Sequence, residues 1–327
     1  MPAEVDTGLA TLSDQLVLVT VLLYVFAMIG YALHLGFGRS SVRQAAAVRE
    51  PALVGAGASV SVPVSEAAPA AAPTGDDTAG PRWPARAGFI ALVLTWLGWA
   101  ANAGCLVTRG LAVGRWPWAN MYEFVVAICL ATVTAYLVLR HKFPQLRFLG
   151  AFVAVAAALS LGFAVRYLHV QAGPVQPSLN SYWVAIHVSA AIIASGLFIV
   201  GGVAGILYMF RKEGRPSRLP TRAELDRITN RVVVLAFPIW TFAVIAGAMW
   251  ADKAWGRYWG WDPKEIWAFI TWIGYAAYLH ARATGGWRGR AAMVVQLVAF
   301  GCLLFNLVGV NMFLGGLHSY ADIPGSP

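Results

Sequence analysis

Hydrophobic residues in this chain form long continuous runs separated by short polar segments. Each run approaches the roughly 20 residues that a helix needs to cross a hydrocarbon core of about 30 Å. The runs are continuously apolar, whereas the strands of a membrane barrel alternate. The pattern therefore predicts an all-α, polytopic integral membrane protein with about eight transmembrane helices. The predicted spans are residues 14–36, 86–108, 120–140, 148–166, 183–210, 231–251, 264–281 and 291–313.

Composition agrees with a membrane environment. Of the 327 residues, 59% are hydrophobic and 12% charged, and the mean hydropathy is +0.64. So few charged residues could hardly cover the water-facing surface of a globular protein of this size.

The basic residues indicate how the chain is oriented. Residues 37–86, 140–147, 211–231 and 282–290 hold 18 of the 24 Lys and Arg, which marks them as cytoplasmic by the positive-inside rule. With eight spans, both termini are then expected outside, in a multi-pass protein of the plasma membrane. The first basic residue, Arg39, follows the first apolar run, which argues against a cleaved signal. Because orientation explains the net charge of +9, no nucleic-acid partner is expected.

The spans divide into one isolated helix and a block of seven. Residues 1–36 are predicted to form the first helix with an outer N-terminus. Residues 37–85 are rich in Ala, Pro, Gly and Ser and predict a disordered cytoplasmic linker. Residues 86–320 are predicted to form a seven-helix domain, and residues 321–327 an outer tail.

The cysteines exclude two classes of protein. Cys105, Cys129 and Cys302 lie within apolar spans and have no closely spaced partner, so they are expected to be buried thiols. The chain contains no C-x-x-C pair and no C-x-x-C-H sequence, which argues against a thiol reductase and a c-type cytochrome.

Aromatic residues are concentrated in the predicted outer segments, above all in WGRYWGWDPKE at residues 255–265. Aromatic rings commonly lie at a membrane interface, so scattered tryptophans need no further explanation. Here the tryptophans are dense and interleaved with glycines, and Asp262 follows them directly. We expect a binding pocket for a planar ligand, built from Trp255, Tyr258, Trp259 and Trp261.

Three of the six histidines fit such a pocket or its approach. His187 lies four residues after Trp183 and shares its helical face. His318 follows the last span, so both imidazoles are expected at the level of the tryptophans. Aromatic walls with two axial nitrogens suit a haem. His280, about 27 Å further along the seventh span than Asp262, is either a ligand within the membrane or a residue at a helix end. His34 has a similar depth and is an alternative partner for it.

The remaining candidates have structural alternatives. Asn120 and Glu123 open the third span, as a helix cap or as a wall of the same pocket. His141 is expected to be solvated, and His169 is a weaker ligand candidate than His187 and His318.

The tryptophan segment resembles a known signature. Trp255, Gly256, Trp259, Trp261 and Asp262 form W-G-x-x-W-x-W-D, similar to the WWD motif of haem-handling proteins in cytochrome c maturation. PWANMYEF, SYWVAIHV, YLHAR and GLHSYA agree with the CcsA/ResC family of system II, often labelled CcsB in actinobacteria. The resemblance covers roughly residues 86–320.

The resemblance implies roles for these residues. His187 and His318 would be axial ligands to the iron of an external haem b, the 255–262 loop its platform, and His280 a haem ligand within the membrane. A ResB-type membrane subunit would supply the ligand opposite His280, which argues against His34. Arg257 and Lys264 are candidate partners for haem propionates, or simple loop cations.

The implied function is to move haem to the outer face and attach it, with the ResB-type partner, to the CxxCH thiols of apocytochrome c. A thioredoxin-like reductant would keep those thiols reduced, and the chain would be a subunit of a cytochrome c synthase. The sequence leaves open whether this chain alone catalyses ligation. Alternatives are a haem exporter or chaperone that delivers haem without ligation and, more remotely, a haem-free transporter.

Overall fold

The computed structural model describes residues 5–38, 83–174, 181–212, 219–284, 287 and 289–318, and every regular element among them is helical. The all-α class predicted from the apolar runs is therefore confirmed for these residues. Most of the predicted linker (residues 39–82 of 37–85) and the whole predicted tail (321–327) lie outside the described residues. The longer helices are α1 (Thr7–Phe37), α2 (Trp83–Val113), α3 (Met121–Lys142), α4 (Leu149–Phe163), α5 (Tyr182–Phe210), α6 (Arg222–Trp255), α7 (Pro263–Ala283) and α8 (Arg290–Leu304).

Three short helical segments and one short helix complete the fold. A 3₁₀ turn, Pro144–Phe148, precedes α4, and a π turn, Ala164–Leu168, follows it. A second π turn, Phe305–Gly309, joins α8 to α9 (Val310–Phe313). π turns interrupt the regular ladder of an α-helix and are frequent near functional sites.

Among the described residues, seven helical segments are long and apolar enough to cross a membrane. The predicted span at 264–281 is present as α7, which has 21 residues, but α7 is not one of the seven. Its tryptophans and tyrosines, together with His280 and Arg282, lower its mean hydropathy. Its length of about 31 Å still matches a hydrocarbon core.

Successive helices run in opposite directions, as contacts at one end of the bundle show. The N-H of Asp6, before α1, donates to the carbonyl of Ala112 at the end of α2 (2.9 Å). Arg109 of α2 pairs with Glu123 in the first turn of α3 (2.9 Å), and His169, after α4, contacts Asp14 of α1 (3.1 Å). The first turns of α5 and α7 and the last turns of α6 and α9 also lie at this end. The described residues nearest the two chain ends therefore lie on the same side of the bundle.

Helix α5 is the most enclosed of the seven spans, with α3, α6 and α8 packed around it. Beside it, the rings of Phe198 and Tyr275 stack at 3.7 Å, and neither side chain is exposed. Trp240 of α6 meets Phe198 edge-on at 6.2 Å and is also buried. Close-packed aromatic rings therefore fill the middle of the bundle.

The three cysteines are free thiols. Cys105 and Cys129 are buried as expected, whereas Cys302 on α8 is only half-buried. Their surroundings indicate packing, and the Cys105 thiol lies 3.4 Å from the Ser13 hydroxyl.

Candidate functional site

The loop between α6 and α7 is shaped by the two helix ends that it joins. Helix α6 ends at Gly256, whose φ of 68° is in the left-handed region where glycine has no steric penalty. Asp262 caps the N-terminus of α7 and accepts a hydrogen bond from the N-H of Lys264 (3.2 Å). The Glu265 carboxylate accepts from the N-H groups of Gly260 and Asp262 (2.9 and 3.0 Å). The loop is thus held in place by a reciprocal capping arrangement.

Trp261 lies at the most unusual backbone position of this loop. Its φ is 58°, and among the described residues it is the one non-glycine residue with positive φ. A bulky residue in this region is strained, and such strain is concentrated at functional sites. Its ring is 66% exposed and meets Trp259 edge-on at 5.8 Å.

A cavity opens behind this loop, among α3, α5, α6, α7 and the α8–α9 segment. Its volume is about 1110 Å³, which includes space open to the surroundings. The walls are mainly apolar and aromatic, and the lining includes His187, His318, Trp118, Asn120, Trp240, Gly247, Trp250, Tyr258, Trp259, Lys264, Asn306 and Asn311.

His187 enters the cavity from the second turn of α5. Its Nδ1 lies 2.7 Å from the carbonyl of Ala243 on α6, so Nδ1 carries the proton and donates to that oxygen. In the neutral ring the lone pair is then on Nε2. A neutral imidazole with a free ring nitrogen is the form of histidine that binds a metal. A Cβ at Gly247 would lie 2.7 Å from the imidazole Cε1, so the glycine makes room for the ring.

His318 enters from the other side, after α9. Its Nδ1 lies 2.8 Å from Oδ2 of Asp262, and the N-H of Leu317 donates to Oδ1 of the same carboxylate (2.7 Å). A carboxylate that accepts from Nδ1 fixes the tautomer with the lone pair on Nε2 and raises the basicity of that nitrogen. Asp262 therefore has two roles, as helix cap and as orienting partner of His318.

The electrostatics of Asp262 agree with this arrangement. Burial acts to raise the pKa of the Asp262 carboxyl, but the hydrogen bonds from His318, Leu317 and Lys264 outweigh it and hold the pKa below its ordinary value. The carboxylate is therefore ionised at neutral pH.

Trp250 lies between the two histidines, and Trp255 packs beside it. The ring of Trp250 is nearly parallel to His187 (6.1 Å, 11°) and meets His318 edge-on at 5.5 Å. Trp255 contacts both Trp250 (4.7 Å) and His318 (4.9 Å). Ring contacts thus connect the two imidazoles across one wall of the cavity.

Polar atoms without a hydrogen-bond partner also line the cavity. Oδ1 of Asn306 and Nε1 of Trp118 are buried and lack a partner within the described protein. Lys264 Nζ donates to the backbone carbonyl of Asn306, in the π turn (2.6 Å). A buried polar atom without a hydrogen-bond partner destabilises the folded protein. Such atoms are therefore typical of a site where a ligand supplies the missing partner.

The other predicted residues of the tryptophan loop and its surroundings are distributed around this cavity. Asn120, Tyr258 and Trp259 line it directly. Trp183 and Trp255 belong to a small hydrophobic cluster with Trp250 beside it. Arg257 is exposed, and its guanidinium lies over Gly260.

Glu123 lies in a different environment from the predicted pocket wall. It is fully buried, and its carboxylate accepts from Arg109 (2.9 Å), from Arg115 (2.9 and 3.0 Å) and from the N-H of Ala119 (2.8 Å). Asn120 caps α3 by accepting from the Glu123 N-H (2.9 Å). The structure therefore places Glu123 in an ion-pair network behind the cavity, and the cap alternative describes Asn120.

The remaining histidines are spread over the molecule. His280 is exposed near the C-terminal end of α7, far from the cavity along the helix. Nδ1 of His34 lies 2.8 Å from the carbonyl of Pro84 on α2. His169 contacts Asp14 and lies edge-on to Tyr122 at 5.1 Å, and His141 is exposed at the end of α3.

Sequence reasoning missed several residues of the cavity. Trp250, Gly247 and Trp240 lie within a long apolar helix and carry no local signal. Asn306 and Asn311 did carry one, because amides within an apolar span are costly and usually functional.

The chain is similar to known proteins of cytochrome c assembly. A family model described as "Cytochrome C assembly protein" matches residues 118–318, which include both cavity histidines. Three curated relatives are each named "Cytochrome c biogenesis protein CcsA". That of Chlamydomonas reinhardtii is 36% identical over 224 residues, covering 66% of this chain and 64% of the relative. Those of Synechococcus elongatus and Gloeobacter violaceus are 32% and 31% identical, covering 67% and 70% of this chain and 83% and 88% of the relatives.

Proposed function

Since the chain belongs to the CcsA/ResC family of cytochrome c assembly proteins and takes part in cytochrome c biogenesis, we propose that its cavity holds haem for transfer to apocytochrome c. The observation that carries this proposal is the pair of imidazoles, His187 and His318, on one cavity. In each ring the Nδ1–H donates a hydrogen bond to an oxygen, so each ring presents the lone pair of Nε2 to the cavity. Haem b is the form we propose.

The residues present fit a haem. Two neutral imidazoles are a common axial pair for haem iron, and Trp250 and Trp259 supply flat apolar surfaces. Lys264 lines the cavity and is the cation best placed for a propionate, since Arg257 lies outside over Gly260. Asn306 Oδ1 and Trp118 Nε1 are further polar groups that a ligand would satisfy.

In the proposed reaction the haem is a substrate. Each cysteine thiol of the CxxCH segment adds across one vinyl group, so that a sulfur–carbon bond forms and the hydrogen goes to the other vinyl carbon. The chain's residues contribute by holding the acceptor carbons in place, which replaces a bimolecular encounter by an intramolecular one. The histidine of CxxCH would displace His187 or His318 so that the product can leave.

The second proposed haem site lies within the membrane, at His280. His280 is exposed on α7, so a ligand bound there would have one open side. A ResB-type subunit packed against this face would supply the second axial ligand. A thioredoxin-like protein would keep the acceptor thiols reduced.

Absorption spectra of the purified chain, alone and with a ResB-type subunit, test the proposal. We expect the reduced bis-imidazole haem spectrum of the wild type to be lost in His187→Ala and His318→Ala. His280→Ala should lose haem only in the preparation with the partner. The matched control is His141→Ala, an exposed histidine on α3, which should keep the wild-type spectrum.

Two results would count against the proposal. A colourless wild type in both preparations would exclude haem binding and leave the tryptophan loop as an interfacial belt. A haem-loaded wild-type complex that forms no thioether with a reduced CxxCH peptide would favour the exporter or chaperone alternative.

A further inference from the structure

A chain of aromatic rings leaves the cavity along the outside of α7. Trp261 meets Trp259 at 5.8 Å, and Trp259 meets Phe269 at 6.3 Å. Phe269 stacks on Trp272 (6.1 Å, 8°), and Trp272 contacts Phe237 of α6 at 5.6 Å. We refer to Trp259, Phe269, Trp272 and Phe237 as the aromatic track. Its first member, Trp259, also lines the cavity, so the two features are continuous.

The aromatic track lies on a face that the described protein does not cover. Phe269 is 40% exposed, Ile273 is 46% exposed, and Trp272 and Phe237 are half-buried. Ala277 and His280 continue the same exposed face of α7. From Trp272 to His280 is eight residues, or about 12 Å along the helix.

Short apolar residues of α6 and α7 form the cavity wall on this side. Val244 and Ala248 of α6 and Ala268 of α7 line the cavity and are half-buried. These side chains are short and apolar, and Phe269 of the aromatic track directly follows Ala268 in the chain.

The interior of the bundle, by contrast, is closed beneath the cavity. Trp240 is 3% exposed, and its Nε1 donates to the carbonyl of Ala268 (3.3 Å), which joins α6 to α7. Below it, Phe198 and Tyr275 stack at 3.7 Å with no exposed surface. A macrocycle would have to displace all three rings to pass through the core, and close-packed interiors resist such changes.

We infer that haem reaches the cavity from the membrane side along the aromatic track, entering between α6 and α7 beside Ala268, and does not pass through the core of the bundle. This inference rests on the proposed function. The stacked rings offer flat apolar contact to a planar apolar ligand. No Lys, Arg, Asp or Glu occurs on α7 between Glu265 and Arg282, so nothing charged interrupts the path.

The experiment measures how fast haem enters from lipid. The full chain, freed of haem, is placed in lipid nanodiscs, haem is dissolved in the lipid, and the growth of the bis-imidazole absorption is followed. We expect the double variant Phe269→Ala, Trp272→Ala to slow this growth roughly tenfold. The loss of one aromatic contact is expected to lower the entry rate by about 2- to 10-fold. The final absorbance should equal that of the wild type, since the cavity is unchanged.

Two controls separate the route from general damage. Phe242→Ala removes a ring of α6 that is 51% exposed and outside the aromatic track, and it should leave the rate unchanged. If the double variant fails to reach the full absorbance, Phe269→Leu is used, because it keeps an apolar side chain while removing the ring; it too should slow entry.

Three results would overturn the inference. Wild-type entry rates in Phe269→Leu and the double variant would exclude the aromatic track. Faster entry in Phe198→Leu, with the track variants unaffected, would place the route through the core. Unchanged haem entry but lost capture of a ResB-type subunit would make this face a protein contact. A wild type that never develops the absorption would instead refute the proposed function itself.

Discussion

At the scale of single residues, the cavity depends on which nitrogen of each histidine is engaged. His187 and His318 are oriented by oxygens 56 residues away along the chain, Ala243 O and Asp262 Oδ2. Both partners accept from Nδ1, so both rings present Nε2. Partners of this kind normally contribute a large part of the affinity of a metal site.

Asp262 offers a direct test of that contribution. Asp262→Asn keeps the size of the side chain and a good N-cap, but it removes the carboxylate charge opposite Nδ1 of His318. We expect haem affinity to fall about 10- to 100-fold, measured by titrating haem into the haem-free chain. Asp6→Asn, at the N-cap of α1, is the matched control and should bind as the wild type does. Equal affinities in the two variants would show that the Asp262 carboxylate only caps the helix.

At the scale of elements, an ion-pair network connects α1, α2 and α3 at the cavity end. Arg109 of α2 pairs with the buried Glu123 of α3 and with the partly exposed Asp14 of α1, and Arg115 also pairs with Glu123. Arg109 also donates to the carbonyl of Val170, and Arg115 donates to that of Gly173 (3.0 Å). The network therefore ties α1 and the segment after α4 to the N-terminal end of α3, where the capping residue Asn120 lines the cavity.

Glu123 is the carboxylate on which this network depends. Glu123→Gln leaves Arg109, which is 1% exposed, without its closest counter-charge, and losing one member of a buried pair costs about 3–5 kcal/mol. We expect a clear drop in the midpoint of thermal unfolding in detergent. Asp226→Asn is the comparison, because the Asp226–Arg282 pair between α6 and α7 is about a fifth exposed and should contribute about 1 kcal/mol or less. Similar unfolding midpoints for the two variants would contradict the expectation that Glu123 stabilises the protein more than Asp226 does.

At the scale of the whole molecule, the alternation of helices places both described chain ends on the side of the cavity. The contact between Asp6 and Ala112 and that between His318 and Asp262 lie at this side. The described basic residues that predict the cytoplasmic face, such as Arg140 at the end of α3, Arg227 near the start of α6 and Arg282 at the end of α7, belong to the opposite side. The positive-inside rule therefore predicts a cavity that faces outward.

Cysteine labelling in intact cells tests this orientation. Lys253→Cys lies at the cavity end and is 63% exposed, whereas Arg227→Cys is exposed near the opposite end of the same helix. We expect a membrane-impermeant maleimide to label the first variant in intact cells and the second only after lysis. The unmodified chain, with its three thiols in apolar helices, measures the background. The reverse pattern would invert the proposed direction of haem transfer.

The sequence by itself determined the all-helical membrane architecture, because apolar runs of about 20 residues are local features that leave the backbone one way to satisfy its hydrogen bonds in lipid. The sequence also predicted that His187, His318 and the tryptophan loop lie at a similar depth in the membrane, because the position of a residue along a helix follows from its number. The spans 264–281 and 291–313 were found as helices by the same logic, although α7 is less apolar than the other spans.

Only the tertiary structure decided which side chains meet. Glu123 turned toward Arg109 and Arg115, Trp250 came to lie between the two histidines, and one face of α7 was left exposed. The physical reason is that these outcomes depend on how each helix is rotated against its neighbours. That rotation follows from packing and from hydrogen bonds between residues distant in sequence, and weakly amphipathic membrane helices carry little local pattern that would reveal it.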